Sequence, residues 1–266
     1  MAKTAILYHS GVGSTRLLAE ALEQRWRHSL APRLLNVQEL GEVGFLAEYD
    51  NLVFGFPCYH AAPSPTMRRF VERLPIFASP KRAFVFTSCG LYSGNALRGF
   101  AKLCRAHNIV VVHSAAYRCP ASDGILLKPD SRRMASFGRR IQDKLAKDAA
   151  LAEQVFVAPQ PVGKIPAFRL SSILNAPNKL IGGAITRRIH LIEARCEKCG
   201  RCAKLCPYKR LDYSWDSYPV HKKQGCENCF RCVHVCPRQA LTIQKNKPPQ
   251  RQLTGDLLVE AFEKSR

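Results

Sequence analysis

Long apolar runs are missing from this sequence. No stretch of its 266 residues approaches the roughly 18 to 20 apolar residues that cross a bilayer, so no transmembrane segment is expected. No Gly-x-Gly-x-x-Gly follows a strand pattern, which leaves the chain without a nicotinamide-binding turn. Residues 1–8, Met-Ala-Lys-Thr-Ala-Ile-Leu-Tyr, run straight into a short apolar strand instead of forming a cleavable leader. An oxidising compartment with disulfides is therefore not expected, and a reduced, cytoplasmic setting is. Acidic residues are scarce: 20 Asp and Glu face 41 Lys and Arg, for a formal net charge of +21. No nucleic-acid recognition motif accompanies that charge, so nucleic acid is not an expected partner. Such a field suits an acidic protein, an anionic substrate or peripheral contact with an anionic membrane surface.

The excess of positive charge is uneven. Residues 1–80 carry 8 basic against 7 acidic side chains, residues 81–160 carry 13 against 5, and residues 161–266 carry 20 against 8. Cysteine is plentiful, with 12 in the chain. Eight of them stand in the last quarter as two copies of one spacing, Cys-x2-Cys-x2-Cys-x3-Cys-Pro: Cys196, Cys199, Cys202, Cys206-Pro207, and Cys226, Cys229, Cys232, Cys236-Pro237. Three closely spaced thiolates match three corners of a cubane cluster, while the fourth is held off by three residues and a proline turn. Structural zinc takes four ligands per ion and gives no reason for the third cysteine of each run or the trailing proline.

On these residues, about 193 to 245 resemble the two-cluster bacterial-type ferredoxins. The resemblance implies two 4Fe-4S clusters with crossed ligand sets. One takes Cys196, Cys199, Cys202 and Cys236; the other takes Cys226, Cys229, Cys232 and Cys206.

About 160 residues precede this module, enough for a core of their own. Thr4 to His9 reads as a strand, Ser10-Gly11-Val12-Gly13-Ser14-Thr15 as a turn, and Arg16 to Leu22 as a helix. A turn of this kind puts backbone N–H groups and hydroxyls at the positive end of a helix, which suits a phosphate, although a plain strand-to-helix turn has the same look. Further strands are expected at Asn51–Pro57, ending at the proline, at Arg82–Thr87 and at Ile109–Ser114. Helices follow from Pro65 to Leu74, after Asn95 to His107, and from Ser131 to Ala150. Strands alternating with helices, with glycines and polar groups in the loops after the strands, describe a doubly wound parallel sheet with its ligand at the strand ends.

Over residues 1–155 the chain resembles the flavodoxin-like fold. The turn is similar to the flavodoxin phosphate loop, with Val12 in place of a hydroxyl residue and Ser14 in place of an amide. The resemblance implies that Ser10, Gly11, Gly13, Ser14 and Thr15 hold the phosphate of FMN. It also places the isoalloxazine ring between the loops Pro57, Cys58, Tyr59, His60 and Ser88, Cys89, Gly90, Tyr92, Gly94, Asn95. Tyr59 and Tyr92 are candidates to cover a ring face, or else ordinary surface or core aromatics. His60 is the histidine placed to donate near the ring. Cys104 and Cys119 read as small buried residues, and Cys58 and Cys89 as packing residues without an evident base beside them.

The expected architecture is α/β: a flavodoxin-like doubly wound parallel sheet at 1–158, a linker and interdomain packing segment at 159–192, a C-terminal α+β two-4Fe-4S ferredoxin domain at 193–250, and a helical tail at 251–266. The whole resembles the flavodoxin-ferredoxin fusion proteins, which implies electron transfer between FMN and two 4Fe-4S clusters; the basic charge suits an acidic redox partner protein. A flavin-dependent reductase with its own substrate site near Tyr59, His60, Tyr92 and Arg118 is the alternative. A cluster-based sensor that grips nucleic acid is a third and weaker reading.

Overall fold

A computed structural model describes residues 2–127, 136–158, 163, 165–168 and 189–265. β1 (Thr4–Tyr8) pairs in parallel with β2 (Arg33–Asn36) on one side and β3 (Asn51–Tyr59) on the other. β3 then pairs with β5 (Lys81–Cys89) and β5 with β6 (Ile109–Arg118), again in parallel. The short β4 (Ala62–Pro63) folds back antiparallel onto Cys58 and Tyr59. The sheet order β2-β1-β3-β5-β6 reverses direction between β1 and β3, which is the flavodoxin-like doubly wound order.

Alternation along the strands sends neighbouring side chains to opposite faces. Ile6, Val53, Phe84 and Phe86 pack under α1 (Ser14–Arg25) and α5 (Ile141–Val157), the latter preceded by the short α4 (Ser122–Leu127). Leu7, Phe54, Phe56 and Val85 pack under α2 (Pro65–Glu72) and α3 (Ala96–Ala106). Trp26, buried at the end of α1, lies against Phe84 and Phe156 and donates its indole N–H to the Ala149 carbonyl at 3.3 Å. Gly55 lets β3 pass the Phe86 ring, which would stand 2.2 Å from any Cβ there.

Several boundaries differ from the expected ones. β2 was not anticipated. β3 continues through Pro57 to Tyr59, because Pro57 lies opposite Ser88 near the strand end where one missing donor is tolerated. α2 stops at Glu72, two residues short of Leu74. α5 begins at Ile141 rather than Ser131: Arg140 is left-handed at φ 58, and Gly138 is drawn out of any helix by donating its N–H to the Arg118 carbonyl at 2.8 Å. Residues 128–135 of the expected helix, and 169–188 of the expected packing segment, lie outside the described residues.

The C-terminal module is built from short pieces. β7 (His190–Leu191) pairs antiparallel with β10 (Leu241–Thr242), and β8 (Leu211–Asp212) with β9 (Val220–His221). Between them lie two single-turn helices, α6 (Arg201–Lys204) and α7 (Arg231–His234). The tail forms α8 (Gly255–Glu263), capped by Thr254 Oγ1, which accepts from Leu257 N at 3.2 Å. One apolar cluster runs from α1 and α5 into Phe230, Val233, Leu253, Leu258 and Phe262, so the module shares core with the sheet. The Phe262 ring meets Phe137 edge-on at 5.2 Å. His234 donates from Nε2 to the Ser122 carbonyl at 2.9 Å and accepts at Nδ1 from Leu253 N at 3.0 Å, which pins the tail to both units.

Candidate functional site

The two cysteine runs fold as copies of one another. Left-handed residues recur at Lys198 and Asn228, at Gly200 and Phe230, and at Lys209 and Gln239. Runs of this kind turn successive backbone N–H groups inward, toward negative charge. Arg210 N donates to Cys206 Sγ at 3.3 Å and Ala240 N donates to Cys236 Sγ at 3.2 Å, the same contact in each copy. The structure brings Cys196, Cys199, Cys202 and Cys236 to one cavity, closed by Gly200, Pro219 and Leu241. Burial raises the pKa of the Cys226, Cys229 and Cys232 thiols, and the nearby Cys206 raises each further. The thiols ring their sites without converging: among the described residues, no three Cys, His, Asp or Glu meet as they would around a single ion. Burial pushes the Cys202 thiol up to about 11 and the Cys229 thiol up to about 12, so these groups release their protons when a metal centre replaces them.

Repeat symmetry breaks at one position for a packing reason. Gly200 has no room for a side chain, since a Cβ would meet the Tyr213 ring at 2.4 Å. Its counterpart Phe230 accepts the left-handed backbone and buries its ring in the shared core.

At the other site, α1 opens on Gly13, with φ +123 and no side-chain cap. Ser10 Oγ accepts from Gly13 N at 3.1 Å, and Thr15 and Ser88 join their hydroxyls at 2.7 Å, which ties this turn to the 88–95 loop. Ser14 Oγ is buried and has no partner. A buried orphan hydroxyl at an uncapped helix N-terminus fits a phosphate oxygen.

The ring loops divide. Tyr59 leans back over the turn: a Cβ on Gly11 would lie 2.6 Å from the Tyr59 hydroxyl and 2.7 Å from Cys229 Cβ. Burial raises the Tyr59 hydroxyl pKa, and the Cys229 and Glu227 charges raise it further. His60 points to solvent from a left-handed turn. The Cys58 thiol donates to the Ser93 carbonyl at 3.5 Å, joining the 57–60 loop to the 88–95 loop, while Gly90 abuts Ala121. Cys89, Tyr92, Gly94, Arg98, Arg118 and Lys144 line an open cleft of about 420 Å³. Of the four residues expected near a substrate, Tyr92 and Arg118 meet there; Tyr59 and His60 do not line it.

Three residues the sequence did not single out hold the seam where sheet and module meet. His9, fully buried, shares a hydrogen bond with Ser64 Oγ at 2.8 Å through Nδ1 and with the Tyr208 hydroxyl at 2.7 Å through Nε2. Burial, then Arg231 and Arg69, lower its pKa to about 3, so the imidazole is neutral. Glu227, next to Cys226, accepts from Thr66 Oγ1 at 2.6 Å and from Arg69 at 2.7 Å on α2. Its counterpart Glu197 instead pairs with Arg238 at the surface. No sequence signal separates these two Cys-Glu pairs; only the docked fold does. Cys229, Tyr59 and Gly11 meet between the ends of β1 and β3, the topological switch point at which doubly wound sheets bind ligands.

Residues 195–241 match the 4Fe-4S dicluster domain family. No match to a curated protein was found. Part of the chain is similar to a flavoprotein from Lactobacillus acidophilus solved in complex with FMN, at 16% identity over 44% of this chain and 93% of that one, with a TM-score of 0.37. It is also similar to a flavodoxin, WrbA-like protein from Agrobacterium tumefaciens, at 22% identity over 58% and 99% with a TM-score of 0.39. Oxidised flavodoxin 1 from Bacillus cereus gives 16% identity over 57% and 98% with a TM-score of 0.42. The chain is a fusion of a sheet of flavodoxin-like strand order with a C-terminal 4Fe-4S dicluster domain.

Proposed function

We propose that this protein transfers electrons between an FMN bound at the sheet and two 4Fe-4S clusters bound by the module, to or from a redox partner in the cytoplasm. The observation that supports the reading is the close approach of Cys229 and Tyr59 to Gly11 at the switch point, where the proposed cluster ligand and the proposed phosphate turn are neighbours. Ser10, Gly11, Gly13, Ser14 and Thr15 would hold the phosphate, with the 57–60 and 88–95 loops around the ring. Cys196, Cys199, Cys202 and Cys236 would hold one cluster, and Cys226, Cys229, Cys232 and Cys206 the other. When bound, these groups supply one- and two-electron chemistry.

The chain's own contribution is position and dryness. Phe230, Val233 and Leu258 exclude water from the seam, and Glu227 locks the second cysteine turn to α2. Backbone N–H groups of Arg210 and Ala240 orient Cys206 and Cys236. On this reading the sheet unit would end at 158 and the cluster module begin at 193. Among the described residues no helix is long and apolar enough to cross a membrane.

Anaerobic purification with iron, sulfide and flavin analysis tests the reading: two clusters require about eight irons per chain, with one FMN and separable reductive steps seen by absorbance and EPR. Iron without flavin would sink the flavin half, and zinc in place of iron would sink the other. A second reading, a flavin-dependent reductase with its own substrate, is favoured by the cleft holding Tyr92 and Arg118. Turnover of a carboxylate substrate that is lost in Arg118→Ala, with FMN content unchanged, would select it.

A further inference from the structure

The hairpin β8–β9 carries an unusual load at its tip. Trp215 is 93% exposed, with Tyr218 and Val220 beside it at 37% and 62%. Large apolar side chains left open together mark contact surfaces more often than accidents. The tip is built, not loose: Ser217 Oγ accepts from Ser214 N at 2.9 Å and donates to the Ser214 carbonyl at 2.8 Å. Asp216 takes the left-handed conformation at φ 58. The hairpin is seated on the first cysteine turn. The Tyr213 ring covers Gly200 and its hydroxyl donates to the Lys198 carbonyl. Lys198 Nζ lies over the Tyr218 ring at 5.0 Å and pairs with Asp216 at 3.4 Å. Pro219 lines the cavity of Cys196, Cys199, Cys202 and Cys236, and Cys199 itself is exposed.

Charge around this tip has one sign. Residues 195–223 hold eight Lys and Arg against three Asp and Glu. All three acids are already paired: Glu197 with Arg238, Asp212 with Lys222, and Asp216 with Lys198. Among the described residues no carboxylate pairs with Arg201, Lys204, Lys209 or Lys223.

We infer that the Trp215 hairpin, with the cationic surface around it, is the docking face for an acidic redox protein, which it brings over the cavity of the first cysteine set. A protein is favoured over a lipid surface because Pro219 of the hairpin lines the same cavity as the exposed Cys199, where a partner's redox centre gains by close approach. In the other set Cys229 lies against Gly11 of the sheet unit, and both Cys229 and Cys232 are buried. This inference rests on the electron-transfer reading above.

The probe is an acidic bacterial flavodoxin, titrated calorimetrically into the holoprotein at low salt, with iron content and EPR as integrity checks. Wild type binds, Trp215→Ala binds at least about tenfold more weakly, and Lys223→Glu weakens binding and flattens its salt dependence. An iron-complete Trp215→Ala holoprotein that binds as wild type does, or wild type that fails to bind, overturns the docking face while leaving the electron-transfer reading standing. Trp215-dependent binding to phosphatidylserine vesicles in place of flavodoxin overturns it as well. A protein that lacks iron overturns the underlying reading instead.

Discussion

At the scale of single residues, Phe230 shows two effects in opposition. Its left-handed backbone costs about 1–2 kcal/mol relative to glycine, while loss of a buried phenyl ring costs about 3–5 kcal/mol. The second is larger, so Phe230→Gly is destabilising by roughly 1–4 kcal/mol in denaturant titration of iron-complete protein; a stabilised variant would mean the ring adds nothing to the seam. His9 gives a pH signature. Burial lowers its pKa in the folded protein to about 3, against about 6.5 in an unfolded chain. Below about pH 6.5 the unfolded chain therefore binds a proton the folded chain refuses, so stability is intact above that value and falls with acid, by up to about 1.4 kcal/mol per pH unit. Unfolding curves across this range are expected to be flatter for His9→Gln than for wild type. Neither residue was legible in the sequence as a seam residue. Tyr208 lies 199 positions from His9, and no local pattern links them.

At the scale of elements, α8 acts as a strap. Leu258 lies where a Cβ on Gly13 would meet it at 2.8 Å, and Phe262 closes on Phe137. Leu258→Ala is expected to cost about 2–5 kcal/mol and to expose the chain near Leu253 to limited proteolysis; resistance equal to wild type would show that α8 holds nothing. Strands and helices were readable where their periods were undisturbed. The β1, β3 and β5 runs are apolar enough to announce buried parallel strands. β2 carries no clear strand signal because Arg33-Leu34-Leu35-Asn36 is a short edge with two apolar residues. Met134 and Phe137 continue the helical spacing of α5 across Gly138, so the pattern predicts a start ten residues before Ile141; the hydrogen bond of Gly138 to Arg118 that prevents it is a tertiary event. Cysteine spacing was fully readable as a pattern, since metal ligation fixes it chemically; the seam that joins the patterns was not.

At the scale of the whole molecule, both parts of the chain are basic: residues 1–160 carry 21 basic against 12 acidic side chains, and residues 161–266 carry 20 against 8. The two clusters and flavin phosphate of the proposed holoprotein would offset only part of the formal +21. Oxidation of the reduced holoprotein by ferricyanide, an anion, is thus expected to slow as salt is added, while oxidation by a neutral quinone stays level; stopped-flow absorbance separates the two. Opposite salt trends would place the redox-active face away from the basic surface. The chain's two tryptophans are divided between these halves: Trp26 is 1% exposed against the sheet and Trp215 is 93% exposed at the hairpin tip. They form a pair of optical reporters with no labelling needed. Iodide, drawn to the basic surface, quenches emission from the tip and leaves the buried indole bright. A partner seated on the hairpin restores the lost emission, whereas melting of the sheet lets the quencher reach both.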